Sequence, residues 1–447
     1  MSVAVSAPSA TLPRLLDGVP AEGAMTLDVH LAVHGVAPWV GGSRRASAAR
    51  SPMIDEVARA GLCGRGGGGF PTAIKMRAVA DAGGAGSRAP SWWAPGRRPI
   101  VVVNAAEGEP ASLKDRTLLE ALPHLVLDGA ALSAEAVGAD EAIVCVCSLS
   151  VDAQESVERA IVERGGQDRV RFSIADLPAR YVAGQESALV RFLSGGPALP
   201  IFTPPMPFER GVRQRPTLVN NPETLAHVAL IARYGAGWFR QLGTASQPGS
   251  ALVTLGGAVA GPGVYEIEHG ASLASLIDAA GGATEELRAV LIGGYAGAWV
   301  DARHLPALAL ADEQLAPYGA RLGTGVVVLL GESGCGPAET ARVTRWLARE
   351  SAGQCGPCVH GLGAIATCLE GAVAGVPEGG SQRIAHLLSI VSRRGACSHP
   401  DGTARFVESA VEVFAEELAE HARNGPCLAC ATANMLPLPA SRRGGPR

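Results

Sequence analysis

Residues Gly61 to Lys75 read GLCGRGGGGFPTAIK, and the four consecutive glycines at 66–69 decide how the surrounding chain is read. Without Cβ atoms, Gly66 to Gly69 reach positive φ and let bare N–H groups approach a ligand closely. Ordering such a run gives up conformational entropy that a contact has to offset, and an N–H nest ahead of a helix suits phosphate. Pro71 at the first turn and the segment Thr72 to Asp81 read as that helix. Arg65, Phe70 and Lys75 add a fork, a ring face and a point charge to one short element. A flexible surface loop is the plainer reading. The stretch has neither the GxxxxGK[ST] spacing of a P-loop nor the preceding apolar strand of a dinucleotide fold.

Downstream, Pro99 to Val103 is a short β-branched run of the buried-strand type, and it leads directly into NAAEGEP at Asn104 to Pro110. Arg116 to Gly138 is helical in period, Glu141 to Cys147 is a second buried strand, and Val151 to Arg164 is an amphipathic helix. This alternation predicts an α/β layer with a parallel sheet, whose ligands collect outside the carboxyl ends of the strands. Tyr181 to Leu193 places Gly184, Gln185 and Glu186 at a helix start. Thr217 to Tyr234 runs from an apolar start through Asn220 and Asn221 into a helix. From about Pro248, glycine-punctuated strands around Ser250 to Val264 and Ala289 to Leu291, with a helix at Leu273 to Ala279, predict a compact β-rich domain. After a last strand at Gly325 to Leu330, Ala338 to Glu350 reads as a helix whose Arg342, Arg345 and Arg349 form a solvated face. Three further helical segments between Gly361 and His421 predict a bundle.

A chain of 447 residues implies roughly two to four domains. A net charge of −4 leaves no polycationic footprint for nucleic acid. No apolar run reaches the roughly 18 residues of a membrane span, and Met1 to Ala24 lacks a signal-peptide pattern. A soluble cytoplasmic protein is expected, with 1–49 as a loosely attached leader containing a strand near Met25 to Val33. Gly83 to Arg98 reads as a loop and Leu436 to Arg447 as a disordered tail. Seven of the ten cysteines lie in the last quarter, which in a reducing compartment points to metal or redox chemistry. Cys355-Gly356-Pro357-Cys358 followed by Cys397 fits three corners of a cube-shaped iron–sulfur cluster. The same pair fits zinc with His360 or His399 nearby, or a redox CxxC. Cys427 and Cys430 form a second pair, either an accessory metal site or two surface thiols.

GLCGRGGGGFPTAIK, VVVNAAEGEPASLKDR, YVAGQESALV, PTLVNNPETLAHV and ESAGQCGPCVHG, in this order, resemble the signature blocks of the NADH-binding flavoprotein subunit of respiratory complex I. The diaphorase subunits of NAD-dependent hydrogenases and formate dehydrogenases are close relatives of that family. The resemblance covers roughly Gly61 to Glu420. It implies an α/β flavin-binding domain with a mostly parallel sheet over 50–248 and a β-grasp, soluble-ligand-binding insert over 249–334. A C-terminal helical bundle with an iron–sulfur site would follow over 335–425, and a CxxC tail over 426–447. By the same resemblance Gly64, Arg65, Gly66, Gly67, Lys75, Asn104, Gly184, Gln185, Asn220, Asn221 and Thr224 would hold FMN. Phe70 would stack on the nicotinamide, with Glu109 and Glu186 oriented towards NAD(H). Cys355, Cys358 and Cys397 would ligate a [4Fe-4S] cluster.

The family pattern also predicts residues that this chain lacks. Ala106 replaces a carboxylate of N-A-D-E-S-E-P, Gln185 replaces a glutamate beside the flavin, and Ala78 and Thr203 replace a stacking Phe and a Lys of the dinucleotide pocket. Ala352 replaces the first cluster cysteine and Val359 an Arg. Two functions follow. One is an NADH dehydrogenase passing electrons through FMN and the cluster to a separate acceptor, a ferredoxin-like, thioredoxin-like [2Fe-2S] or quinone-linked protein. The other is a divergent electron-transfer or assembly subunit that keeps the scaffold and a cluster but no longer oxidises NADH. A zinc-binding protein without redox chemistry ranks behind both.

Overall fold

The computed structural model describes residues 12–38, 51–83, 98–376 and 380–439. The expectations for 1–11, 39–50, 84–97 and 440–447 fall outside the described residues. The chain opens with α1 (Leu27–His34), a helix where the sequence alternation predicts a strand. The alternation in MTLDVHLAV is overridden by His30 and His34, one helical turn apart and both buried, with His30 Nε2 2.8 Å from Asp128. α2 (Pro52–Ala60) and α3 (Thr72–Gly83) then bracket the glycine loop.

The first sheet is built from β1 (Ile100–Ala105), followed by α4 (Lys114–Ala121), α5 (Pro123–Val137), β2 (Glu141–Cys147), α6 (Val151–Glu163) and β3 (Arg171–Leu177). After α7 (Glu186–Leu193) and the one-turn α8 (Pro207–Arg210) come β4 (Thr217–Asn220) and α9 (Pro222–Phe239). Its order is β3-β2-β1-β4 and every pairing is parallel. The interior strands are near-continuous Val and Ile because helices cover both faces. Edge strand β3 has a half-exposed face, so its RFSIADL carries no continuous apolar run. The register sets Val103 opposite Asn220 and Asn104 opposite Cys145. Asn104 and Asn220 are thereby brought to the carboxyl edge of neighbouring strands.

The second sheet contains β5 (Ser250–Gly257), β6 (Gly263–Glu268), β7 (Leu287–Ile292), β8 (Ala298–Asp301) and β9 (Val326–Gly331). Between them lie α10 (Leu273–Ala279) and the short α11 (Asp312–Leu315). Its order is β6-β5-β9-β7-β8, with a parallel β5–β9 pair flanked by antiparallel neighbours, one helix packed alongside, as a β-grasp requires. The bundle follows as α12 (Gly336–Arg349), α13 (Leu362–Val373), α14 (Ser381–Val391), α15 (His399–Val413) and α16 (Ala415–Asn424). Tyr295, Trp299, Phe406 and Phe414 form one core shared by the β-grasp sheet and the helices. Arg342 and Arg345 do not form a free solvated face: Arg342 pairs with Glu339 at 2.6 Å, and Arg345 reaches Thr367 at 2.8 Å and Glu370.

Both flanking segments are anchored where they are described. Leu15 is fully buried, and the backbone N–H groups of Arg14, Leu15 and Leu16 donate to Glu266 Oε2 at 2.8, 2.9 and 3.1 Å. The expected loose leader therefore gives way, over 12–38, to a strap held by a carboxylate. Leu436 is likewise buried, its N–H and that of Met435 donating to Glu339 at 3.2 and 2.6 Å, so the tail is ordered at its start. Residues near a chain end read as disorder from composition when the carboxylate that receives them lies far along the chain. Each buried N–H left without an acceptor costs about 1–3 kcal/mol. Glu266→Ala should therefore lower stability by roughly 3 kcal/mol and expose 12–38 to cleavage, read by denaturant melts and limited proteolysis, with Glu266→Gln milder.

Candidate functional site

The glycine loop closes on itself through Gly64 N to Phe70 O at 2.9 Å and Thr72 N to Leu62 O at 2.9 Å. Gly67 and Gly69 hold φ of +95° and +59°, which side-chain-bearing residues rarely adopt. Gly66 to Phe70 are exposed, and among the described residues no protein group accepts the N–H of Gly66, Gly67, Gly68 or Gly69. These free donors at the start of α3 are the nest expected of a phosphate site.

The loop is held from beneath. Arg65 N donates to Thr224 Oγ1 at 2.9 Å, Thr224 N to Asn221 Oδ1 at 3.2 Å, and Asn221 Nδ2 to Asp115 Oδ1 at 3.0 Å. Asp115 faces Lys114 at 2.9 Å, and Lys114 faces Glu223 at 2.8 Å. Burial opposes the charge on Lys114, but the two carboxylates outweigh it and raise its pKa. The side chains of Asn221 and Thr224 are thus committed to positioning the loop. The Arg65 guanidinium is buried too and bonds Pro248 O and Ser250 O at 3.2 Å each, so the expected fork is turned towards the β-grasp domain. Sequence reasoning missed Lys114 and Glu223 as part of the site. The adjacent Lys-Asp pair at a helix start was visible, but nothing local shows that Glu223 meets it.

On the carboxyl edge of the first sheet, Asn220 is buried with Nδ2 unpartnered, and Asn104 Nδ2 donates to Gly184 O at 2.8 Å. A Cβ on Gly184 would lie 3.2 Å from Ala106 Cβ and 4.0 Å from Asn104 Oδ1, so these three residues pack closely against one another. Lys75 Nζ reaches Val219 O at 3.1 Å and Glu186 at 3.4 Å, closing the same mouth. Phe70 is 52% exposed, an apolar ring left uncovered. Ile201 bonds Ser187 Oγ through both N and O, which ties the segment carrying the exposed Phe202 to the start of α7. A free donor nest, an orphaned amide and an uncovered ring fit FMN and a stacked nicotinamide. A cavity of about 320 Å³ on the β-grasp side of the loop shares Gly64, Gly67 and Gly69 with it and is floored by the Lys114–Glu223 pair.

Gln185 caps α7 rather than facing this space, its Oε1 accepting from Ser187 N at 2.8 Å and Ala188 N at 3.0 Å. Glu109 lies deeper than the rim. It accepts from Tyr295 N at 2.8 Å in the seam with the β-grasp domain, and burial pushes its carboxyl up to about 7 against that bond.

Cys355, Cys358 and Cys397 come together at the base of the bundle. The Cys355 thiolate resists burial through hydrogen bonds from Ala396 N, Cys358 N and Cys358 Sγ, and its pKa is lowered. Cys358 is pushed up to about 12 by burial, then by Cys355 and Cys397, while Ala352 N donates to its sulfur. Among the described residues these three thiols do not all lie within 4.8 Å of one another, and the wider thiolate spread of a cube-shaped cluster is compatible with that. Position 352 contributes a backbone donor and no thiol, so three sulfur ligands are available there. The loop bearing them docks on the flavin side: Gln354 Nε2 donates to Pro200 O at 2.7 Å, and the Tyr181 ring lies 5.3 Å from that of His399, two residues beyond Cys397.

A parallel sheet with a glycine nest at its carboxyl edge, a β-grasp domain and a cysteine-bearing bundle together define a flavin and iron–sulfur oxidoreductase module. Residues 57–230 match the Nuo51 FMN-binding domain, 252–294 the SLBB domain, and 338–421 the NADH-ubiquinone oxidoreductase-F iron-sulfur binding region. The chain belongs to the family of the F subunits of NADH-quinone oxidoreductase. It is 32% identical to the second F subunit of Rhizobium meliloti NADH-quinone oxidoreductase, over 84% of this chain and 90% of that protein. It is 30% identical to the F subunit of the Escherichia coli enzyme over 84% of this chain and 86% of that one. A crystal structure of an NAD+-reducing [NiFe]-hydrogenase in the H2-reduced state aligns with a TM-score of 0.73 at 32% identity, covering 86% of this chain and 66% of the hydrogenase chain.

Glu109 makes stability depend on pH. Its folded pKa of about 7 exceeds the ordinary 4.5, so between these values the native state holds a proton that the unfolded chain has lost. The stabilisation is complete below the ordinary value and disappears as pH rises through about 7. The difference is on the order of 3 kcal/mol. Denaturant melts of wild type and Glu109→Gln between acidic and mildly alkaline pH should show this fall in wild type, and a flatter profile in the variant.

Proposed function

We propose that this chain is the NAD(P)H-oxidising subunit of a larger electron-transfer enzyme, with FMN in the cradle at the carboxyl edge of β1 and β4. The observation that carries the reading is the convergence of the unpartnered Asn220 amide and the free N–H groups of the glycine loop with Lys75 and Glu186 at one mouth. When bound, FMN and an iron–sulfur cluster would supply the change from a two-electron donor to one-electron transfer. The protein's part is orientation and tuning. The loop N–H groups and Lys75 bind phosphate, and Asn104, Asn220 and the bare Gly184 face the ring. Phe70 offers a stacking surface for the nicotinamide, with Glu186 beside it. Glu109, buried behind the cradle and titrating near neutrality, holds a proton close to the reacting centre. Cys355, Cys358 and Cys397 hold the cluster, and electrons leave to a separate ferredoxin-like, thioredoxin-like [2Fe-2S] or quinone-linked protein.

Ala106, Ala78 and Thr203, each where the family pattern has a carboxylate, a ring and a cation, favour a second reading in which dinucleotide oxidation is lost. Anaerobic addition of NADH to FMN-loaded protein separates the two. The first reading predicts bleaching of the flavin band and ferricyanide turnover, with Phe70→Ala raising KM for NADH about tenfold or less, as for loss of one stacking contact of about 1 kcal/mol. An FMN-loaded protein that NADH does not bleach supports the second reading.

A further inference from the structure

A second group of metal-type ligands lies at the edges of the iron–sulfur region matched over 338–421: its three cysteines fall outside that span and its histidine, His421, is the last residue of it. Cys335, His421, Cys427 and Cys430 bring one ligand atom each into a group whose members all lie within 4.8 Å of one another. Cys427 Sγ is 3.5 Å from Cys430 Sγ, and Cys430 Sγ is 3.5 Å from Cys335 Sγ. His421 Nε2 is 3.9 Å from Cys335 Sγ and 3.7 Å from Cys430 Sγ. Zinc bonds of about 2.3 Å to sulfur and about 2.0 Å to nitrogen place tetrahedral ligand atoms about 3.5–3.8 Å apart. Three of these four separations fall in that range, the fourth exceeds it by 0.1 Å, and all six pairs lie within 4.8 Å. A disulfide needs sulfurs about 2.05 Å apart, and the three cysteines here are free thiols. A cube-shaped cluster needs its thiolates spread more widely, so the space accommodates a single ion.

The elements aim these groups without help from a ligand. Cys335 caps α12, its sulfur accepting from Ala338 N at 3.4 Å, which fixes where the sulfur points. His421 lies on α16 and is 2% exposed, with Nε2 turned to the sulfurs. Cys427 and Cys430 bracket a tight turn closed by Cys430 N to Cys427 O at 3.1 Å. A C-x₂-C pair joined by one histidine and a distant Cys gives the Cys₃His ligand set of a closed structural zinc site. We propose that Cys335, His421, Cys427 and Cys430 bind one zinc ion that fastens the C-terminal segment across the bundle. Beyond the site, the segment runs on to Glu339 through Met435 and Leu436, and Tyr295 Oη donates to Pro437 O at 2.5 Å. The ion therefore locks a strap that covers the shared aromatic core of the bundle and the β-grasp domain. It stands apart from Cys355, Cys358 and Cys397 and takes no part in electron transfer.

The test is metal analysis of the full chain, purified anaerobically and offered equimolar zinc, for wild type, Cys427→Ser/Cys430→Ser and Cys355→Ser. Cys427 and Cys430 lie on the surface turn, so the double variant keeps its fold, which circular dichroism checks. The expected result is one zinc per chain in wild type and in Cys355→Ser, near none in the double variant, and iron lost only from Cys355→Ser. Cobalt substituted into wild type should give the visible absorption of tetrahedral cobalt thiolate, absent from the double variant, and the double variant should be cleaved faster within 426–439. Wild type without zinc, zinc retained by the double variant, iron in the site, or a Cys427–Cys430 disulfide in the reduced preparation would each overturn the assignment.

Discussion

The Lys114 ammonium, buried between Asp115 and Glu223, is the contact on which the rest of the site depends. A lone buried cation is very costly, and here two carboxylates and their hydrogen bonds offset that cost. The arrangement is also directional. Asp115 orients Asn221, Asn221 orients Thr224, and Thr224 takes the N–H of Arg65 at the root of the glycine loop. Glu223 extends the same network to the β-grasp domain by accepting from Leu252 N at 2.9 Å. One buried charge thus fixes the loop, the start of α9 and the seam between two domains. A loop of four glycines has almost no side-chain packing of its own, so its conformation has to be imposed from below.

Much of the architecture is legible in the sequence because it rests on local period. Continuous apolar runs at β1 and β2, helices between them and glycine-punctuated strands after Pro248 each carry their own signature. Features that depend on a distant partner are not legible. Strand β3 is half-polar because it is an edge, and α1 is a helix because His30 meets Asp128 nearly a hundred residues away. The strap at 12–38 depends on Glu266, and the start of the tail on Glu339. For the site, the glycine loop and the asparagines are marked by type and spacing. That Thr224 and Asn221 support the loop while the Asn220 amide nitrogen stays unpartnered follows only from the register of β1 against β4 and from the cap of α9. Arg65 illustrates the limit: its sequence position beside the glycines suggests a ligand contact, whereas its guanidinium anchors the β-grasp domain.

The cysteines show how spacing alone leaves the metal open and geometry narrows it. Two CxxC pairs look equivalent in the sequence. Cys355 and Cys358 are joined by Cys397 beside the turn at Tyr181, where on the proposed reading a large redox group would lie near the cradle. Cys427 and Cys430 are joined by Cys335 and His421 in a compact set of their own. Openness and nitrogen content, rather than the pair itself, separate a redox role from a structural one.

On the proposed reading the Thr224 hydroxyl, itself held through Asn221 by the buried charges, shapes the glycine loop into an FMN phosphate site. Titration of flavin-free protein with FMN, followed by quenching of flavin fluorescence, tests it most directly in wild type and Thr224→Val. Valine keeps the shape and removes the hydroxyl that accepts from Arg65 N, a loss of about 1–3 kcal/mol. Wild type should bind one FMN per chain, and the variant should bind about tenfold more weakly or worse with its fold intact. Wild type that does not bind FMN, or a variant that binds as tightly as wild type, would contradict the account.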